Sequence, residues 1–199
     1  MLTLFELGGL NDCRYSLFSW RARYALAHKG LMPEYKPVRV SDKAAIAFSK
    51  QEKVPILIDG DDAIHDSFRI AQHLETKYPD KPLFGGEIGQ SLSRFMNTWV
   101  DRTIEKAFGK TLEELSANRE KDVAALRRLF DPVRGSLRSQ PFICGSQPAY
   151  ADYIVFSPLQ WARIVAPVDI LEPGDALAAW RERMLDLYAG LGRTTPARA

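Results

Sequence analysis

Cysteine and histidine are both scarce in this sequence. Its 199 residues include two cysteines, Cys13 and Cys144, and three histidines, His28, His65 and His73. Two cysteines so far apart make no disulfide framework of the kind that staples small secreted domains. The five side chains also lack the close pairs that bind structural zinc. We therefore expect a soluble protein of a reducing, cytoplasmic setting that holds no metal.

Long apolar runs and an excess of one charge are missing as well. No stretch approaches the roughly 18 apolar residues that a membrane span needs, and no charged segment followed by an apolar one opens the chain. The 27 basic residues nearly balance the 25 acidic ones, so no one-sided basic surface is expected. The nucleotide-cradling patterns GxGxxG and GxxxxGKS/T are absent. We expect neither a membrane nor a nucleic acid as a partner.

The N-terminal part of the chain alternates strand-like and helix-like patterns. Four segments are typical of strands: LTLFEL (2–7), YKPVRV (35–40), PILID and DAIHD. The last two lie on either side of Gly60-Asp61, so they predict a hairpin. Residues 16–30 carry apolar side chains at helical spacing, and SFRIAQHLETKYP returns to that spacing. The order strand, helix, strand, hairpin, helix predicts a small α/β unit over residues 1–80.

The remainder of the chain has helical spacing and no strand-like alternation. PDKPLFGGEIG (79–89) is rich in proline and glycine, so it predicts a linker, which we place at residues 81–89. Residues 90–199 then show apolar positions three and four apart, for example in ADYIVFSPLQWARIV and DALAAWRERMLDLYAGL. The sequence therefore predicts two domains, the second of them all-helical.

The segment KVPILIDGDDAIHDS (53–67) has features of a binding site. Asp66-Ser67 stands directly before a predicted helix, whose first N–H groups and positive dipole end favour an anion such as a ligand carboxylate. The extended backbone before Pro55 leaves an edge that a peptide-like ligand can pair with in strand fashion. Each pattern alone is most often structural, a helix cap or a strand start. Together they indicate a site for a peptide-like ligand.

The order of these motifs resembles that of the glutathione transferase family. The family's order is a strand, a helix opening with a small polar residue, the sequence VPIL, and DS after one hairpin, and this chain has the same order. In the second half, PFICGSQPAYADYIVF resembles the family's segment in which a glycine turn leads into "AD". CRYSLFSWRARYALAHKGL and WRERMLDLYAGLGR are similar to the bacterial β-etherase-type branch and its fungal relatives. The resemblance implies a thioredoxin-like N-terminal domain that binds glutathione, an all-α C-terminal domain with an electrophile pocket, and a homodimer.

Carried over by position, the resemblance assigns roles to particular residues. Ser16, which opens the first helix, would be catalytic and would donate its hydroxyl to the glutathione sulfur. Val54, beside a cis Pro55, would offer its backbone to the cysteinyl part of glutathione. The binding set is completed by Lys53 at the glycine carboxylate and by Asp66 and Ser67 at the γ-glutamyl end. The implied reaction is attack of the thiolate on a hydrophobic or aromatic electrophile, an aryl ether being the narrower version.

Other readings stay open at this point. A cysteine before a helix attacks disulfides in thioredoxin-like oxidoreductases, so Cys13 supports an alternative, a glutathione-dependent reductase or deglutathionylase. A non-catalytic carrier of hydrophobic ligands is a further alternative. Tyr15 is a third candidate for the sulfur contact, and Leu17 stands where many relatives carry proline. The candidate pocket residues are Tyr15, Phe18, Trp99 and Arg102.

Asp152 is expected to be structural. In the family's capping box a Ser or Thr precedes this aspartate by three residues, whereas here the position is Ala149. One half of the reciprocal cap is therefore missing, at a cost of roughly 1 kcal/mol. We expect the carboxylate of Asp152 to accept a hydrogen bond from the Ala149 backbone N–H.

Overall fold

The N-terminal part of the chain forms a four-stranded mixed sheet. A computed structural model describes residues 1–108, 123–124, 127–128, 130–165 and 169–196. The strands, in the sheet order β2-β1-β3-β4, are β1 (Leu2–Leu7), β2 (Glu34–Val38), β3 (Ile56–Asp59) and β4 (Asp62–His65). β1 and β2 are parallel, and the other neighbouring strands are antiparallel. All four predicted strands are confirmed, and Pro37 lies in an edge strand, where its missing N–H is tolerated.

Two helices complete the sheet domain. α1 (Leu17–His28) is the crossover that the parallel pair β1 and β2 requires, and α2 (Ser67–Lys77) follows the β3–β4 hairpin. Gly30 adopts a φ of 73° just past the end of α1, a left-handed conformation that glycine takes without strain. The predicted order of strands and helices, and with it the thioredoxin-like architecture, is confirmed.

The rest of the described chain is helical. It comprises α3 (Glu87–Phe108), α4 (Asp131–Leu137), α5 (Tyr150–Val165) and α6 (Ala176–Gly190), the last interrupted at residues 187–189. α3 begins inside the stretch predicted as a linker, and the helical pattern predicted for residues 109–122 lies outside the described residues. Within the described ranges, no helix is both long and apolar enough to cross a membrane.

α1 is buried on all sides because it belongs to the core of both domains. It packs against α2 and also against α5. Trp20 and Tyr24 are at most 1% exposed, and one apolar cluster extends from Leu4 in β1 to Leu185 in α6. Although α1 carries two arginines, nine of its twelve residues are buried, so it is a core helix. The position of the α1 N-terminus is therefore fixed by packing from two directions.

A buried arginine also joins α1 to the helical domain. Arg21 is fully buried, and its guanidinium donates to Ser157 Oγ at 3.0 Å and to Asn97 Oδ1 at 3.0 Å. The same group forms an ion pair with Asp101 at 2.9 Å. Because a buried charge needs such partners, these contacts connect α1 to α3 and α5.

Candidate functional site

The sheet register brings separate segments to one end of the sheet. Phe5, near the C-terminal end of β1, pairs with Ile56, the first residue of β3. Ile56 pairs in turn with His65, the last residue of β4. Val54-Pro55, just before β3, and Asp66-Ser67, just after β4, are therefore neighbours beyond this end of the sheet. The segment that follows β1 leaves the sheet at the same end.

Ser16 lies at this end of the sheet as the N-cap of α1. Its Oγ accepts a hydrogen bond from the Ser19 backbone N–H at 3.2 Å. The Leu7 backbone N–H donates to Ser19 Oγ at 3.4 Å, so the first turn of α1 is tied to the end of β1. Ser16 is half-buried. Because the capping bond uses only the oxygen as acceptor, the hydroxyl hydrogen is left free to donate to a ligand.

The loop that leads to Ser16 is braced by a buried carboxylate. Glu6, at the end of β1, is fully buried and accepts from Arg14 at 2.6 Å and from Arg23 at 2.6 Å through two nitrogens. The Arg14 backbone carbonyl accepts from Trp20 Nε1 at 2.7 Å. Arg14 is therefore held both through its side chain and through its backbone, two residues before Ser16.

The N-terminus of α2 has the features of an anion site. Asp66 Oδ1 accepts from the backbone N–H groups of Phe68 at 2.9 Å and Arg69 at 3.0 Å. Asp66 adopts a φ of 72°, a conformation that a non-glycine residue rarely takes and that clusters at ligand-binding sites. Ser67 is 2% exposed, and its Oγ has no hydrogen-bond partner in the described part of the chain. A buried hydroxyl without a partner is rare in proteins.

Three of the predicted residues, Lys53, Val54 and Pro55, precede β3 next to this turn. The peptide bond between Val54 and Pro55 is cis, as the family resemblance implied. Val54 is half-buried, whereas Lys53 is exposed. The lysine side chain is thus available at the rim of the region that Asp66 and Ser67 border.

Side chains of the helical domain reach the same turn, and no sequence pattern indicated them. The Tyr150 hydroxyl donates to the Ser67 carbonyl oxygen at 2.7 Å. The Arg94 guanidinium lies 5.4 Å from the centre of the Phe68 ring, which brings a cation against the first turn of α2. Residues 67 and 150 are 83 positions apart, so no spacing pattern could have indicated their contact.

The aromatic residues predicted around Ser16 differ in exposure. Tyr15 is half-buried, and a Cβ added to Gly9 would lie 2.9 Å from its ring, so the two residues are in close contact. Phe18 is 38% exposed, with the Arg21 guanidinium 4.9 Å from its ring centre. Both side chains lie within two positions of Ser16 along the chain.

The two predicted pocket residues of α3, Trp99 and Arg102, have different surroundings. Trp99 packs edge-on against Phe130, with ring centres 6.2 Å apart, and Arg102 is exposed. Among the described contacts, no hydrogen bond or ring contact joins either side chain to Ser16. Their membership of the pocket stays a prediction.

The two cysteines are free thiols in different surroundings. Cys13 is half-buried in the loop, three residues before the N-cap of α1. Cys144 belongs to the helical domain, where burial, with a smaller contribution from the Asp152 charge, raises its pKa to about 12. A thiol with so high a pKa is a poor nucleophile. In the described ranges no group of three or more His, Cys, Asp or Glu side chains could hold a metal ion.

Asp152 has the structural role that was expected of it. It is fully buried and accepts from the Ala149 N–H at 3.1 Å, from the Ile143 N–H at 2.8 Å and from Trp180 Nε1 at 3.1 Å. Burial raises its pKa to about 6, against the opposing effect of these donors. The predicted bond to Ala149 is confirmed, and the two additional donors connect the start of α5 with α6 and with the preceding turn.

Comparisons with known proteins agree with this architecture. The glutathione S-transferase N-terminal domain matches residues 10–82, and the glutathione S-transferase C-terminal domain matches residues 63–187. Glutathione S-transferase 3 of Glycine max is 26% identical over 157 residues, which are 76% of this chain and 72% of that protein. A zeta-class glutathione S-transferase of Euphorbia esula is 42% identical over 83 residues, 37% of each protein.

Solved structures of low sequence identity share the fold. A Tau-class glutathione S-transferase from mango, Mangifera indica, has a TM-score of 0.77 at 20% identity, with 98% of this chain and 92% of that chain covered. A rice glutathione S-transferase solved in complex with glutathione has a TM-score of 0.74 at 20% identity and the same coverage. Because the C-terminal family domain alone matches more than half of the residues, the chain belongs to the glutathione S-transferase family and is an enzyme of that family.

Proposed function

We propose that the protein binds glutathione at the sheet end formed by Val54-Pro55 and Asp66-Ser67 and transfers its thiolate to a hydrophobic or aromatic electrophile. The observation that carries the proposal is the Ser67 hydroxyl, which is 2% exposed and has no described partner at the N-terminus of α2. A γ-glutamyl carboxylate supplies the acceptor that this hydroxyl lacks. The positive end of the helix dipole stabilises the same negative charge.

The remaining parts of glutathione have complementary groups. The backbone of Val54, before the cis Pro55, offers N–H and C=O groups to the cysteinyl residue in strand fashion. The exposed ammonium of Lys53 is available to the glycine carboxylate. These assignments place the cysteinyl sulfur toward the start of α1, where Ser16 is the N-cap.

Ser16 is proposed as the residue that activates the sulfur. A thiol with a pKa near 8.5 is only about 3% thiolate at pH 7, and the thiolate is the nucleophile. Lowering that pKa by about two units requires roughly 2.7 kcal/mol of preference for the anion. A hydroxyl donor and the N-terminus of α1, at about 1 kcal/mol each, supply most of it. No strong base is needed, since the proton leaves to water.

The proposal also covers the electrophile pocket, the domain bounds and the oligomeric state. Tyr15, Phe18, Trp99 and Arg102 are the candidate pocket residues, with an aryl ether as the narrower substrate and phenolate as its leaving group. That version rests on the resemblance to the β-etherase-type branch, which the reported relatives do not support. Residues 1–80 would form the glutathione-binding domain and 90–199 the helical domain. The predicted linker, 81–89, overlaps the first turn of α3, which begins at Glu87. A cytoplasmic homodimer completes the proposal.

The test is the thiol pKa of bound glutathione in Ser16→Ala. We expect it to rise by about one unit, because a lost neutral hydrogen bond is worth about 1 kcal/mol. Turnover of an activated dinitroaryl chloride at pH 6.5 should fall roughly fivefold, because the wild-type thiol is already partly ionised at that pH. The thiolate is measured by its ultraviolet absorbance in the enzyme–glutathione complex as the pH is varied. Ser16→Thr, which keeps the hydroxyl, is the matched control and should stay near the wild type.

The alternative centred on Cys13 gives the opposite pattern. It requires Cys13→Ser to abolish disulfide exchange with glutathione while Ser16→Ala is nearly silent. Against it, Cys13 lies three residues before the helix N-cap, so the first N–H groups of α1 are closer along the chain to Ser16. An unchanged thiol pKa and unchanged kinetics in Ser16→Ala would remove Ser16 from the mechanism.

A further inference from the structure

Tyr150 is a fully buried residue that connects the helical domain with the N-terminus of α2. Its hydroxyl donates to the Ser67 carbonyl oxygen at 2.7 Å, and its own backbone N–H donates to the Leu83 carbonyl oxygen at 2.9 Å. Tyr150 is the first residue of α5, whose start is held by Asp152. The phenol is therefore attached to a rigid part of the helical domain.

The ring of Tyr150 is itself held in place. It packs edge-on against Phe68 at 5.7 Å and against Phe84 at 5.4 Å between ring centres. A ring enclosed on these sides has one available orientation, so its hydroxyl points at one acceptor. Burial raises the pKa of Tyr150 further above its ordinary value, which keeps the phenol protonated and able to donate throughout the neutral range.

The acceptor of this bond belongs to Ser67, whose side-chain hydroxyl has no partner among the described residues. Ser67 directly follows Asp66, which has a φ of 72°, so the backbone at this turn is held in an uncommon conformation. Such conformations persist only where surrounding contacts enforce them. The hydroxyl of Tyr150 supplies a contact on the carbonyl side of Ser67, and the cap of Asp66 supplies contacts on the helix side.

We infer that Tyr150 is a positioning residue for glutathione binding, which holds Ser67 so that its Oγ faces the γ-glutamyl carboxylate. The inference rests on the proposed function and adds that the helical domain, which takes the electrophile, also shapes the glutathione site. Tyr150 acts through Ser67, and none of its described contacts involves Ser16. Its loss should therefore weaken glutathione binding without changing the activation of the thiol.

Tyr150→Phe tests this inference, with Tyr24→Phe as the matched control. Tyr24 is equally buried, and its hydroxyl also donates across the domains, to the Met184 carbonyl oxygen at 2.8 Å. In Tyr150→Phe we expect the Kd for glutathione, measured by calorimetry, to rise about threefold to tenfold, the range of one lost neutral hydrogen bond. The KM for glutathione should rise in parallel, while kcat at saturating glutathione and its pH profile stay unchanged. Tyr24→Phe should lose similar thermal stability and keep the wild-type Kd.

A double-mutant cycle identifies the group through which Tyr150 acts. In a Ser67→Ala background, the effect of Tyr150→Phe on the Kd should shrink to less than about twofold, because the positioned hydroxyl is gone. Three results would each overturn the inference while glutathione binding by the wild type stands. They are an unchanged Kd in Tyr150→Phe, a rise of the Kd in Tyr24→Phe equal to that in Tyr150→Phe, and an unchanged Kd in Ser67→Ala. If the wild-type protein takes up no glutathione at all, the proposed function fails together with it.

Discussion

The buried carboxylate of Asp152 allows a prediction in which both magnitude and pH dependence are set by the structure. Asp152→Asn keeps the shape of the side chain and keeps Oδ1, which accepts from the Ile143 N–H and from Trp180 Nε1. It replaces Oδ2 by an NH₂ group that faces the Ala149 N–H. The Ala149 N–H and the new NH₂ group are then buried donors that face each other without an acceptor, at a cost of at least about 2 kcal/mol in the free energy of unfolding. The assay is urea unfolding at pH 7.5, followed by tryptophan fluorescence.

The pH dependence follows from the raised pKa of Asp152. Its folded-state pKa of about 6 lies above the ordinary value of 3.8, so the folded protein holds this proton more tightly than the unfolded chain does. This contribution to stability is fully present below pH 3.8 and is lost as the pH rises through 6. At pH 5 the wild type therefore retains about 1 kcal/mol that it lacks at pH 7.5, whereas the asparagine variant does not titrate.

The destabilisation caused by Asp152→Asn should accordingly grow by about 1 kcal/mol between pH 7.5 and pH 5. Comparing the two proteins at each pH cancels the titration of all other groups. Asp131→Ala removes an exposed carboxylate that is paired with Arg134, and it serves as a control, with an expected loss under about 1 kcal/mol. A destabilisation that is equal at both pH values, or smaller at pH 5, would show that the folded protein does not hold this proton more tightly than the unfolded chain.

Two further predictions concern buried and half-buried side chains elsewhere. Glu6→Gln removes the buried carboxylate that Arg14 and Arg23 share. Arg14 keeps its partner Asp12 but Arg23 loses its ion pair, so the change should cost about 3–5 kcal/mol in urea unfolding. The exposed Glu34→Gln should cost less than about 1 kcal/mol, and equal losses would contradict the account. The third prediction concerns Cys144, whose pKa is about 12. In a Cys13→Ser variant it is the remaining thiol, and at pH 8 it should react with an aromatic disulfide at least about a hundredfold more slowly than free cysteine does. A rate like that of free cysteine would show that the thiol is not shielded.

The elements that could be predicted are those with local causes. The hairpin around Gly60, the cap at Asp66 and the helix that starts after Ser16 each follow from neighbouring residues, and the structure contains all of them. The convergence of Val54-Pro55 with Asp66 could also be expected, because a hairpin fixes which residues are opposite each other. Local rules therefore recover the sheet domain and the backbone of the candidate site.

The features that could not be predicted depend on residues far apart in the chain. Tyr150 meets Ser67 across 83 positions, and Arg21 meets Ser157 across 136. The sequence shows arginines in α1 but not whether they face solvent, because α1 carries apolar and charged residues on every side. Burial of such a helix becomes visible only when the partners from a second domain are in place.

The shared core of the two domains has a consequence for recombination between relatives. A chimera that joins the sheet half of this enzyme to the helical half of another transferase would have to match α1 as well as the linker. Arg21 would need carboxylate and amide partners on the new helices, and Ser67 would need a phenol from the new α5. Grafts that keep α1 together with α3 and α5 should yield folded hybrids more often than grafts cut at the linker.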